Sequence, residues 1–274
     1  MFADFLQNIT IKTAPVPIEL GGTTARGVLW QASPGRFLLD LPEVARYLVE
    51  GGECVTIEPC TGILPDVVTH FARMTPLAAL LYQRGMLAFH AAAVANERGA
   101  VLLAGDSGGG KSTLLMELLQ RGWALLADEL AIVSQDGNGG LHVIPTFSDI
   151  ALWPDTLKKF GKEAEEFEHA DANRLLLNLT DQRTVASQPL LAMYRLGVQS
   201  KAEISCERMA GIEHFKAVST LLYNSHVADA LLDRVIYMGY ASAIVRTTPV
   251  VRLNRPRGSW SVDGLADLIE KELQ

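Results

Sequence analysis

The 274-residue sequence predicts an α/β protein. A domain with a mixed sheet flanked by helices is expected over residues 86–274, fused to a small β-rich α+β module over residues 1–85. Three observations predict this. "GAVLLAGDSGGGKSTLLMELLQRG" passes from an apolar strand through glycines into a run with helical spacing. A second apolar run, "WALLA", follows at once. The first third of the chain instead alternates short apolar runs with turns. With 49% apolar and 20% charged residues, the chain has ordinary globular composition and enough length for one large core plus an appended unit.

Taken in order, "GVLWQ" (Gly27 to Gln31), "RFLLD" (Arg36 to Asp40) and "ARYLVEGGECVTIE" read as strands. Gly51-Gly52 is expected to form a two-residue hairpin loop, because glycine takes positive φ cheaply at both central positions. "LPDVVTHFARMTPLAALLYQRG" predicts two short helices, the second starting at Pro76. "LAFHAAAVANERGAVLLAG" predicts two strands joined by a turn over residues 96–99, with His90 on the first strand.

The stretch Gly105 to Ser112 has the spacing Gly, four residues, Gly-Lys-Ser of a phosphate-binding loop, flanked by the strand and helix such a loop needs. Gly105, Gly108, Gly109 and Gly110 let the backbone curl so that amides face phosphate oxygens, with Asp106, Ser107 and Thr113 completing the cradle. The helix beginning near Lys111 adds the positive end of its dipole. Lys111 supplies a point charge to the β- and γ-phosphates, and Ser112 a hydroxyl to Mg²⁺. The expected ligands are therefore ATP, or another nucleoside triphosphate, and Mg²⁺. The helix carries Leu114, Leu115, Leu118 and Leu119 on one face and stops at Gly122. The strand Trp123 to Ala127 then ends in Asp128-Glu129, where a carboxylate can reach the metal. One helix separates loop and acid pair, and the Leu-Ser-Gly-Gly-Gln signature of transporter ATPases is absent. What remains is a compact site in which Asp128 and Glu129 divide the roles of metal ligand and general base.

A net charge of −7, with 24 basic residues scattered along the chain, excludes wrapping of nucleic acid or an anionic membrane surface. No segment reaches the ~18 apolar residues that span a bilayer, and no secretory leader is evident, so a reduced, cytoplasmic setting is expected. Cys54, Cys60 and Cys206 have no metal-ligand spacing and read as small buried hydrophobes. His142, His169, His214 and His226 read as surface or packing residues.

Four elements in register over His90 to Glu129 resemble the catalytic domain of HPr kinase/phosphorylase, the bacterial serine kinase acting on the phosphocarrier HPr. They are His90 fifteen residues before Gly105, then "GDSGGGKS", "ELLQRG" and "LLADE". The resemblance implies a P-loop kinase domain of HPr kinase type. It also implies that Asp128 accepts the proton of a substrate serine hydroxyl, with His90 beside it. Thr113 stands where that family has glutamate, Glu129 replaces its second aspartate, and the later Leu-Glu-Ile-Arg-Gly signature is missing. "YQRGMLAFHAAAVA", "LWPD" and "PVVRL" are similar to the divergent HPr kinase-like proteins of lasso-peptide gene clusters, some of which phosphorylate a serine of the peptide or its precursor.

Beyond Glu129, "SQDGNGG" predicts a hairpin turn and "PDTLKKFGKEAEEFEHADANR" a charged helical surface, while "PLLAMYRLGVQ" and "PVVRLNR" predict strands. Arg174, Arg195, Arg246 and Arg252 are candidates for contact with a migrating phosphate. The expected function is an ATP-dependent kinase acting on a serine or threonine hydroxyl of a peptide or small protein. An HPr-type or small-molecule kinase, and a slow ATPase serving as a nucleotide-binding scaffold, stay open. The expected partners are a nucleotide and the acceptor, with homo-oligomerisation left open.

Overall fold

The structure is a computed structural model, describing residues 8–106, 108–163, 167–169, 173–258 and 260–273. The chain divides into two compact units, one of the described residues up to Ala88 with Leu222–Ala241, the other of Phe89–Leu221 with Ser242 onward. The chain thus crosses the divide three times.

The first unit is built on six strands: β1 (Thr10–Thr13), β2 (Ala25–Arg26), β3 (Trp30–Ser33), β4 (Arg36–Leu41), β5 (Ala45–Glu50) and β6 (Cys54–Pro59). They are ordered β1-β6-β5-β4-β3-β2, with β1 parallel to β6 and the other pairs antiparallel. Strand β3 starts three residues later than "GVLWQ" suggests. Gly27 donates its amide to the Trp30 carbonyl, which bends residues 27–29 into the β2–β3 turn. Gly51 and Gly52 take φ of +61° and +68° as expected, but Glu50 pairs with Cys54, so the loop holds three residues. Helices α1 (Pro65–Ala72) and α2 (Thr75–Gln83) both carry proline in the first turn, where no intrahelical amide bond is lost. The buried Tyr47 hydroxyl donates to the Val68 carbonyl, and that of Tyr82 to the carbonyls of Tyr223 and Ala88. These bonds fasten α1 to β5 and Leu222–Ala241 to the rest of the unit.

Strand β7 (Leu87–Phe89) lies at the divide. The second unit contains β8 (Ala91–Asn96), β9 (Gly99–Gly105), α3 (Lys111–Gln120), β10 (Ala124–Ala127), β11 (Ala131–Gln135), β12 (Leu141–Ile144) and β13 (Asp149–Leu152). After these come α4 (Pro154–Lys159), β14 (Glu168–His169), β15 (Leu175–Asn178), β16 (Gln188–Gln199), β17 (Ser205–Arg208) and α5 (Gly211–Thr220). Helix α6 (Ser225–Leu231) belongs to the first unit, α7 (Arg234–Thr247) runs across the divide, and β18 (Val250–Pro256) and α8 (Val262–Glu272) complete the second.

The sheet is mixed. β10-β8-β9-β16-β12-β11 run in that order, with β9 and β18 each parallel to β16 and β8 antiparallel to β9. Strand β9 is apolar and buried from Gly99 to Ala104, which fits a central strand covered on both faces. One face, carrying Ala92, Val94, Val101, Leu103, Tyr194 and Leu253, packs on Leu114, Leu115 and Leu118 of α3 and on Leu265 and Ile269 of α8. The same core takes in Ile150, Leu152, Leu175 and Leu177 from a separate three-stranded sheet, β13-β15-β14.

Arg121, just past α3, ties α3 to α8. It reaches Glu117 at 2.7 Å, Asp267 at 2.6 Å and Glu270 at 2.9 Å, while Gly122 turns the chain at φ +89°. Two expectations are corrected. The charged run after Trp153 is helical only as far as Lys159, because Gly161 at φ +69° ends the helical path. Of its acidic run, residues 164–166 lie outside the described residues. None of the three cysteines is buried: Cys54 is half-buried at the start of β6, and Cys60, in the loop after β6, and Cys206, on edge strand β17, are exposed. Among the described residues no helix is long and apolar enough to cross a membrane.

Candidate functional site

At the C-terminal end of β9 the chain must leave the sheet and enter α3 within five residues. Gly105 makes the exit possible. Its φ is +145°, and a side chain there would place Cβ 2.7 Å from the Leu196 carbonyl oxygen on β16. The Asp106 carbonyl accepts the Gly109 amide at 3.0 Å, closing a turn around Gly108 at φ +76°. Gly110, at φ +104°, precedes the first helical residue. The first-turn amides of α3 have no intrahelical acceptor, no side chain caps them, and the dipole's positive end faces the loop.

Lys111 is buried, and its Nζ donates to the Gly105 carbonyl at 2.7 Å and the Asp106 carbonyl at 3.3 Å. Desolvation holds its pKa below the ordinary lysine value, opposed by the charges of Asp128, Glu129 and Asp106. Ser112 and Thr113 are half-buried in the first turn of α3. Ser107 lies outside the described residues.

The acid pair sits at the end of β10, which occupies the sheet edge beside β8 rather than beside β9. The Leu130 amide donates to the Asp128 carbonyl at 2.8 Å, a γ-turn with Glu129 at its centre and a φ of +64°. This strained turn sends consecutive carboxylates to different partners. Asp128 Oδ2 accepts the Ala151 amide of β13 at 3.3 Å, whereas its Oδ1 is buried with no hydrogen-bond partner. Desolvation, and then the charge of Glu129, push the Asp128 carboxyl up to about 7. Glu129 Oε1 accepts a hydrogen bond from Arg174, which stands immediately before β15.

His90 is not on a strand. It occupies the break between β7 and β8, where its amide donates to the Leu221 carbonyl at 2.9 Å and its side chain reaches solvent. Surrounding protein and the charge of Lys111 lower its pKa, while Glu129 and Asp106 oppose the shift. Thus Asp106, Lys111, Asp128, Glu129, His90 and Arg174 fall within one electrostatic neighbourhood.

The other candidate arginines lie elsewhere. Arg252 pairs with Glu207 at 3.3 Å and Glu213 at 3.7 Å, Arg195 is exposed on β16, and Arg246 donates to the Ser242 carbonyl along its own helix. Sequence reasoning missed Ala151, whose amide is invisible to any residue-type signal, and Arg255, whose Nε donates to the Gly109 carbonyl at 3.5 Å. Arg255 is visible in "PVVRLNR", but nothing local distinguishes it from Arg252.

Loop, lysine and acid pair together suit binding of an anion beside a group able to take up a proton. Among the described residues no three His, Cys, Asp or Glu side chains gather into a ready-made metal centre. A family model described as the SynChlorMet cassette protein ScmC matches residues 65–160. Among solved structures, the HPr(Ser) kinase/phosphatase from Coxiella burnetii is similar at 14% identity and a TM-score of 0.38, over 68% of this chain and 90% of that one. No curated protein matches the chain.

Proposed function

We propose that the chain is an ATP- and Mg²⁺-dependent kinase that passes the γ-phosphate to a serine or threonine hydroxyl of a peptide or small protein. The observation that carries this reading is Asp128 Oδ1, a buried, unpartnered carboxylate oxygen whose charge acts on the lysine of the glycine loop. An orphaned buried acceptor is costly in a folded protein, and beside a loop of this kind a ligand or substrate can complete it.

The loop amides, the α3 dipole and Lys111 hold the triphosphate. The acceptor hydroxyl attacks the γ-phosphorus in line, the bond to the β,γ-bridging oxygen breaks, and the hydroxyl proton passes to Asp128 Oδ1. A carboxyl that titrates near neutrality suits this role, since about half of it is deprotonated at neutral pH and it is basic enough to draw the proton. Arg174 fixes Glu129 through its Oε1, and His90 adds a dipole near Lys111 and Glu129. Ser112 and Glu129 are the residues that would hold Mg²⁺, which leaves Asp128 Oδ1 to the proton. The fit rests on the donor set, a half-buried hydroxyl and a half-buried carboxylate, both hard oxygen donors, and on the way Mg²⁺ takes few protein ligands and completes its shell with phosphate and water. When bound, the ion neutralises charge developing on the transferring phosphoryl group. The similarity to lasso-peptide cluster kinases makes a lasso-type peptide or its precursor the first acceptor to try.

The test is mass spectrometry of candidate peptides after incubation with ATP and Mg²⁺. We expect a gain of one phosphate that Lys111→Ala abolishes with the fold intact, and that Asp128→Asn abolishes while nucleotide binding survives. Near-normal transfer by Asp128→Asn would remove Asp128 as the base. Phosphate on a metabolite alone would make the chain a small-molecule kinase, and acceptor-independent hydrolysis would make it a slow ATPase.

A further inference from the structure

Strands β9, β16 and β18 are mutually parallel, with Gly105 opposite Leu196 and Asn254 opposite Gly197. Their C-terminal ends therefore share one edge of the sheet, the edge where open α/β sheets form ligand crevices. The glycine loop leaves this edge from β9, and Arg255 arrives there at the end of β18. Its Nε donates to the Gly109 carbonyl at 3.5 Å and stands 3.5 Å from where a Cβ on Gly110 would lie, and its Nη1 donates to the Pro256 carbonyl at 3.4 Å. Both bonds are at the long limit of useful geometry. Arg255 is half-buried and pairs with no carboxylate among the described residues, whereas Arg252, three residues earlier on the same strand, is committed to Glu207 and Glu213. A guanidinium has five N–H donors, so most of this one's capacity is unspent. It stands against the backbone that, on the reading above, curls around phosphates.

We infer that Arg255 is a second phosphate-binding cation of the site, gripping the terminal phosphate of a nucleoside triphosphate opposite Lys111. The inference rests on the kinase reading of the loop. The two cations divide the work. Lys111 is a compact charge reaching from within the helix, and Arg255 a planar fork that can engage two oxygens of one phosphate. A cation so placed gives the site its preference for a triphosphate over a diphosphate and stabilises charge on the migrating group.

The test compares ATP and ADP affinities by titration calorimetry with transfer rates, for the wild type, Arg255→Ala and Arg255→Lys, with circular dichroism to check folding. We expect Arg255→Ala to bring the ATP-to-ADP affinity ratio close to one and to lower kcat about 100-fold or more, with ADP affinity unchanged within about 3-fold. Should the alanine variant fail to fold, Arg255→Lys carries the same expectation in weaker form, because it keeps the charge and loses the fork. A wild-type affinity ratio and kcat in the variants would overturn the inference while leaving the loop reading intact. Equal loss of ATP and ADP binding would also overturn it, making Arg255 a prop for the loop. If the wild type binds neither nucleotide, the phosphate-loop reading itself falls.

Discussion

Asp128 illustrates how a single residue links stability to chemistry. Its carboxyl titrates at about 7 in the folded chain, against about 4 for an unperturbed aspartate, so between those values the folded state binds more protons than the unfolded one. Its contribution to stability is fully present below the unfolded pKa and is lost as pH rises through the folded value. From pH 5 to pH 8 the wild type should lose about 2–3 kcal/mol from this residue, a loss that Asp128→Asn should lack. Denaturant melts of both proteins at the two pH values measure it, and parallel pH dependences would remove the assignment. Turnover moves the opposite way, because a base must be deprotonated. The transfer rate should rise with pH to a plateau above about 7.

At the scale of elements, the glycine loop is held by structure on both sides. Upstream, β9 approaches β16 so closely that only glycine fits at position 105. Downstream, α3 is fastened to α8 through Arg121, which gathers Glu117, Asp267 and Glu270, with the Trp123 indole donating to Glu270 as well. Removing the guanidinium leaves three carboxylates facing one another. Arg121→Ala should lower stability by about 1–3 kcal/mol, with Arg121→Lys recovering part of it, as read from urea midpoints. The "ELLQRG" ending of α3 thus has a structural role. Its arginine ties the C-terminal helix to the loop helix, and its glycine takes the positive φ that turns the chain into β10.

For the whole molecule, net charge is −7, and around the loop Lys111, Arg174 and Arg255 stand beside Asp106, Asp128 and Glu129. An anionic ligand must therefore be held by the placement of individual donors and not by a general affinity for polyanions. Ligand that binds only the folded state must raise the melting temperature. At about 100 times its Kd, ATP with Mg²⁺ should add about 2.7 kcal/mol, and scanning fluorimetry should show the shift lost in Lys111→Ala and reduced without Mg²⁺. An unshifted wild type under these conditions would count against nucleotide binding.

The strand–loop–helix from Gly99 to Gln120 was legible because its causes are local. Glycines free the backbone at positive φ, apolar residues repeat at helical spacing, and prolines and glycines start and stop helices. The break at His90 was not legible, since its neighbours on both sides are equally apolar and only the Leu221 carbonyl, far along the chain, takes its amide. The same holds for the partners of the acid pair. Ala151 reaches Asp128 across 23 positions, Arg174 reaches Glu129 across 45, and Arg255 reaches Gly109 across 146. Likewise, nothing in the composition of Leu222–Ala241 assigns it to the first unit. By itself, then, the sequence determined the loop, its lysine and the acid pair one helix later, all of which depend on residue type and short spacing. Only the tertiary structure decided which carboxylate oxygen is left unpartnered and which arginines stand at the site. Those depend on packing among strands distant in the chain, which no local pattern encodes.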